Sequence, residues 1–178
     1  MSSLARTEAW LRKFIIKENI CPFAHLPYRQ GRVRLVEADA KTEEELTRIL
    51  LAELLYLYEH PREQVETSLV IIPQLFAAFD DFWAYVEWTE VLLEQAGLDG
   101  VFQIVGFHPY FRFADSLGPG DAADFVNRSP LPLLHLIREE SISEARATYP
   151  DIEAIPARNA RKLRGMTYTV LQNALRAE

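Results

Sequence analysis

Apolar positions recur along this chain in two rhythms, one near 3.6 residues and one near two, and their order predicts its elements. Between residues 3 and 18, Leu4, Leu11, Phe14 and Ile15 share a face, with Trp10 one turn before Phe14; this predicts a first helix that stops at Asn19. Pro22 and Pro27 bracket a segment, Cys21-Pro-Phe-Ala-His-Leu-Pro27, that reads as irregular backbone laid against the body. From Arg32 to Ala38 the rhythm is two, with Val33 and Leu35 opposite Arg32 and Arg34, which predicts a half-exposed edge strand.

Thr42-Glu-Glu-Glu45 has the form of a capping box, so a second helix is expected over 43–59. Its Leu46, Ile49, Leu50, Leu54 and Leu57 cover one broad arc, and Pro61 ends it. Leu69-Val-Ile-Ile72 is apolar without interruption, as a central strand covered on both faces requires. Asp80 is placed to cap a third helix running to Ala96, where Gly97-Leu98 resembles a left-handed stop with its apolar follower. Val101 to Phe107 completes a third buried strand.

Helices alternating with buried strands predict an α/β chain: one domain over 1–178, with a small, mostly parallel three-stranded sheet flanked by helices. Right-handed crossovers place the two strand-linking helices on one face, leaving the first helix and those after residue 130 for the other. The alternation in Phe111-Arg-Phe113 leaves open an α+β arrangement, with a mixed sheet that includes a short strand near 110–114. Ser129-Pro130 reads as a helix entry, with the helix running through Arg138 and as far as Ala147. A last helix opens at Pro156, with Leu163, Met166, Val170 and Ala174 in its stripe and Gly165 weakening it by about 1 kcal/mol relative to alanine.

Composition narrows the function classes. With 49% hydrophobic residues the chain can bury a core without metal or disulfide staples, and its one cysteine excludes an internal disulfide. No basic stretch leads into a long apolar segment near the start, so a reducing cytoplasm is expected. No apolar run approaches the roughly 18 residues needed to span a bilayer, so no membrane is expected as a partner. A formal charge of −7 and a pI of 5.2 argue against nucleic-acid binding by phosphate neutralisation. The cluster Arg158, Arg161, Lys162 and Arg164 reads as a solvated helix face.

Candidate chemistry concentrates between Phe107 and Glu140. His108 would sit at the carboxyl end of the third strand, where open sheets build their crevices, and could serve there as a general acid or base. The alternative is a structural histidine bonded to a backbone carbonyl. On a helix entered at Ser129, His135, Arg138 and Glu139 would project from one side, either as a pocket wall or as an intrahelical network. Asn127 and Arg128 at that helix's mouth would favour an anion, with Arg138 and the nearby Arg112 as further cations; the competing reading has Asn127 and Arg128 tying down the loop from Pro109. Cys21 reads either as a nucleophile or as a packed thiol.

A zinc-type set from His108, His135 and Glu139 or Cys21 has no motif spacing behind it, so no metal is assigned. Glycine-rich phosphate loops and the G-x-S-x-G elbow are absent, which removes dinucleotide dehydrogenases, P-loop enzymes and standard α/β-hydrolases. No cofactor is identified.

Several motifs in order resemble one family. Asn19-Ile-Cys-Pro-Phe-Ala24, Gly31-Arg-Val-Arg34, Phe107-His-Pro109 with Phe113-Ala114, Asn127-Arg-Ser-Pro130, Leu134-His-Leu-Ile-Arg-Glu-Glu-Ser141 and Ile155-Pro-Ala-Arg-Asn159 look like the uncharacterised bacterial family named domain of unknown function 1415. The resemblance runs from Trp10 to about Leu163 and brings no activity with it. In that family an acidic residue usually follows the His-Pro pair, whereas Tyr110 stands here, leaving no carboxylate at that position for a metal.

Two functions are therefore expected in competition. One is a small enzyme acting on an anionic, phosphate- or carboxylate-bearing metabolite, with His108 as acid or base, His135 and Glu139 assisting, and Arg128 and Arg138 as clamps. The other is a non-catalytic metabolite-binding or protein-interaction module. Catalysis needs the two histidines to converge on one solvent-reachable cavity.

Overall fold

A computed structural model, which describes residues 1–176, places a four-stranded mixed sheet between two helical layers. The strands are β1 (Val33–Glu37), β2 (Thr67–Ile71), β3 (Phe102–Phe107) and β4 (Leu133–Arg138), in the order β1-β2-β4-β3. β1 and β2 pair in parallel, and β4 runs antiparallel to both of its neighbours, β2 and β3. The expected sheet of three mostly parallel strands is therefore corrected to a mixed one of four, and the added strand is not the one near 110–114, which is turn and loop.

β4 occupies residues expected to be helical. Leu133-Leu-His-Leu-Ile137 is covered on both faces, and an apolar run of that kind has no period by which to distinguish strand from helix. Ser129 caps nothing; its hydroxyl donates to Leu131 O at 2.6 Å in the turn that delivers the chain to β4. The helix begins only afterwards, as α5 (Glu139–Thr148).

Alternation along the strands builds two cores. On one face Val70, Leu134 and Leu136 meet α3 (Glu43–Glu59) and α4 (Phe79–Gln95) through Leu46, Leu50, Leu54, Phe82 and Val86. The fit is closest at Gly106 on β3, where a Cβ would lie 2.7 Å from Val86 Cγ2. On the other face Leu69 and Leu133 meet α1 (Ser3–Trp10), its continuation, and the two C-terminal helices, α6 (Ile155–Arg164) and α7 (Tyr168–Arg176). For α1, α3, α4, α6 and α7 this division between faces is the expected one, whereas α5, expected on the second face, buries none of its residues.

Local signals account for several boundaries. Thr42 Oγ1 accepts from Glu45 N at 3.2 Å while Glu45 Oε2 accepts from Thr42 N at 3.2 Å, completing the capping box of α3. α4 begins two residues earlier than expected, with Ala78 at its cap, so Asp80 lies within its first turn. Gly97, at φ 68°, ends α4 with Leu98 N donating to Leu93 O at 2.9 Å. The final helix expected from Pro156 is instead two, α6 and α7, separated at Gly165-Met-Thr167.

The first helix changes character midway. After Trp10 the chain winds through a π-turn at Leu11–Ile16, with Lys17 N donating to Arg12 O at 3.2 Å and Ile20 N to Ile15 O at 2.9 Å. Asn19 then takes a left-handed φ of 50°, and a short helix, α2 (His25–Arg29), follows where irregular backbone was expected.

Candidate functional site

The connection from β3 to β4 is long, and nearly every polar group singled out in it is engaged in holding it. His108 is 1% exposed. Its backbone N donates to Asn127 O at 3.1 Å, and its Nδ1 accepts from Tyr110 N at 3.1 Å, which fixes the proton on Nε2 for donation to Phe76 O at 2.9 Å. The ring stacks on Phe82 with centroids 5.2 Å apart. Burial pushes its pKa below the usual histidine value, against a smaller upward pull from the Phe76 carbonyl bond. The imidazole is a strut between α4 and the loop.

Asn127 and Arg128 do what the competing structural reading describes. Asn127 Nδ2 donates to Gly106 O at 3.2 Å, and Arg128 Nε donates to Phe111 O at 3.0 Å with its guanidinium 4.6 Å above the Phe125 ring. Asp124, buried beside them, accepts from Phe113 N at 3.1 Å and from the Ser116 hydroxyl. Asp121 accepts from Arg164 Nη2 at 2.7 Å and from Leu117 N and Ala123 N at 3.0 Å, which together hold its carboxyl well below the usual range. Arg112 is exposed and pairs with Asp80 at 3.2 Å across the start of α4.

His135, Arg138 and Glu139 do not share a helix face, because the first two lie on β4 with odd spacing and so point to opposite sides of the sheet. His135 faces the α1 side. Its Nε2 lies 2.8 Å from Thr67 Oγ1, and since that hydroxyl donates to Leu136 O at 2.5 Å, the histidine is the donor to it. Burial pushes the ring down to about 4, so it is neutral at pH 7. Arg138 faces the α3 side, where Nη2 donates to Leu57 O at 2.8 Å, His60 O at 2.7 Å and Val65 O at 3.0 Å. It closes the carboxyl end of α3, a favourable place for a cation.

Glu139 opens α5, and its backbone N donates to Val101 O at 2.9 Å. Cys21 lies half-buried in the turn before α2, and burial raises its thiol pKa against the opposing pull of the Phe23 and Ala24 backbone amides. An activated thiolate needs the reverse shift.

The two histidines do not converge on one cavity: His108 lies on the α4 side with Phe82, whereas His135 lies 6.3 Å from Phe107 on the α1 side. Among the described residues, no three His, Cys, Asp or Glu side chains are grouped so as to hold a metal ion.

An open groove lies elsewhere, between the π-turn and α2. It has a volume of about 590 Å³ and is lined by Glu8, Arg12, His25, Tyr28 and Arg29, with Ile16 and Val33 below. Tyr28 Oη donates to Glu8 Oε1 at 3.1 Å, and burial, reinforced by that carboxylate, raises the phenol's pKa. Arg12, His25 and Arg29 are exposed, and neither arginine has an ion-pair partner among the described residues. Two guanidinium groups and an imidazole thus line a groove that holds one carboxylate, that of Glu8. The i→i+5 winding at Leu11–Ile16 sets how Arg12 and Ile16 meet α2, and π-turns of this kind recur at functional sites. Sequence periodicity gives no sign of such a turn, and the groove's one trace in the sequence is that Arg12 and Arg29 stand on polar positions.

These features define an α/β domain with a mixed sheet, a heavily bonded β3–β4 connection and a cationic groove beside a π-turn. The chain belongs to the family described as "Protein of unknown function (DUF1415)", whose model matches residues 2–173. No curated protein and no solved structure matches it.

Proposed function

We propose that the protein is a binding module for a small anionic molecule, a phosphate or carboxylate, held in the groove between the π-turn and α2. The observation that carries this reading is that Arg12 and Arg29, with the His25 imidazole beside them, share with Glu8 alone a groove of small-molecule size. Guanidinium forks hold phosphate or carboxylate through paired N–H donors, and a groove open to solvent lets the ligand enter without local unfolding. Tyr28, tethered to Glu8, keeps that carboxylate occupied and adds a polar edge.

This reading favours binding over acid–base catalysis. Both nitrogens of His108 are bonded inside the protein, and His135 faces away from it. Thermal-shift screening with inorganic phosphate, citrate and a metabolite mixture tests the proposal. A ligand at about 100 times its dissociation constant adds ~2.7 kcal/mol of apparent stability. Wild type is expected to show a hit that Arg12→Ala with Arg29→Ala abolishes and that Arg112→Ala leaves intact. A hit that survives the double substitution places the ligand elsewhere.

A further inference from the structure

The helical layer of α3 and α4 is complete on its inner side and open on its outer one. Both helices return from the carboxyl ends of strands that run in the same direction, so they lie parallel, joined by Thr47 Oγ1 and Tyr85 Oη at 2.9 Å. One turn beyond that bond, Leu51 follows Thr47, and Trp88 follows Tyr85 with their rings 5.5 Å apart. α3 extends the line with Leu55 and Tyr58, and α4 extends it with Val91. Trp88 is 41% exposed, Leu55 54% and Tyr58 63%. A single exposed apolar residue is ordinary, but a stripe across two neighbouring helices marks an interaction surface. Where the helices start, a groove of about 430 Å³ opens, lined by Glu43, Glu44, Asp81, Tyr85 and Trp88.

Charge selects what fits there. α4 carries Asp81, Glu87, Glu90 and Glu94, besides Asp80 paired with Arg112, and has no lysine or arginine of its own, while the outward acids of α3 are opposed only by Arg48, which already pairs with Glu44. A second copy presenting the same face would set carboxylate against carboxylate. A basic segment with apolar residues at helical spacing satisfies both features: its leucine-type side chains cover the stripe, and its ammonium or guanidinium groups reach the carboxylates and the Trp88 ring over aliphatic stems. We infer that the α3–α4 face is a docking surface for a basic amphipathic helix of a partner protein.

Fluorescence anisotropy tests this with a labelled synthetic peptide of leucine and lysine at helical spacing, beside a control with the same lysines and serine in place of leucine. The leucine peptide is expected to bind at least about tenfold more tightly than the control. Trp88→Ala with Leu55→Ser is expected to reduce that affinity about tenfold, as is the outward variant Tyr58→Ser with Asp81→Lys. Arg12→Ala with Arg29→Ala leaves it unchanged, which separates this surface from the anion groove. Equal binding of the two peptides, or indifference to both sets of α3–α4 substitutions, overturns the inference. So does a wild-type dimer in sedimentation that Trp88→Ala with Leu55→Ser disperses, because the face then belongs to a second copy.

Discussion

The two faces of the sheet are built alike inside and differently outside. Each buries a core of leucines and aromatics against β2 and β4, yet α3 and α4 present carboxylates to solvent, whereas α6 carries Arg158, Arg161, Lys162 and Arg164 with no acid. Arg6, Arg12 and Lys13 against Glu8 extend the basic side along α1 and its π-turn. A chain of net charge −7 thus keeps a cationic side, and a total charge describes neither face. Several of those cations are spent on structure: Arg158 Nη2 donates to Asn19 O at 2.9 Å, and Lys162 pairs with Glu18 at 2.9 Å. Arg12 and Arg29 are not spent in this way, which is why the groove between them carries the functional reading.

The largest expected effect separates structural from available arginines. Arg138→Ala strips three carbonyls of their donor at the buried end of α3, and it is expected to cost about 3 kcal/mol or more in urea unfolding. Arg12→Ala changes stability by less than about 0.5 kcal/mol, as exposed substitutions usually do. Similar costs for the two would erase the distinction.

Next in size is a pH effect on the α1 side. With the folded value of His135 near 4 and an ordinary value near 6.5, the unfolded chain takes up the proton first as pH falls. The stability is fully present above about pH 6.5 and is lost progressively down to about pH 4, by on the order of 3 kcal/mol. His108 is shifted the same way, so His135→Gln should flatten this slope without abolishing it. An unchanged slope in the variant would remove His135 as its source. Smallest is Thr42→Ala, which breaks the capping box of α3 and should cost about 1 kcal/mol by the same unfolding assay.

Sequence pattern reached most of the scaffold because most elements carry local signals. The Thr42 box, the Gly97 stop and the edge alternation of Val33 to Glu37 depend on near neighbours, and the placing of α3 and α4 on one face follows from crossover handedness. β4 has a helix-like sequence because its two apolar faces hide the period, and the site expected there depends on that helix. His135, Arg138 and Glu139 converge only at helical spacing, and on a strand they separate. For Asn127, Arg128 and His108 the sequence leaves loop-tying and ligand-binding both open, since the choice depends on which carbonyls come within reach. The groove was illegible for a related reason: it exists only where a π-turn meets a short helix, and neither has a periodic signature.

Amide chemical-shift mapping of the isotope-labelled protein during titration with phosphate or citrate tests the central assignment most directly. Saturable shifts confined to residues 8–16 and 25–33, absent in Arg12→Ala with Arg29→Ala, are the expected result. Saturable shifts centred on residues 108–129 or on β4 would contradict it and return the ligand to the segment whose polar groups are here assigned to structure.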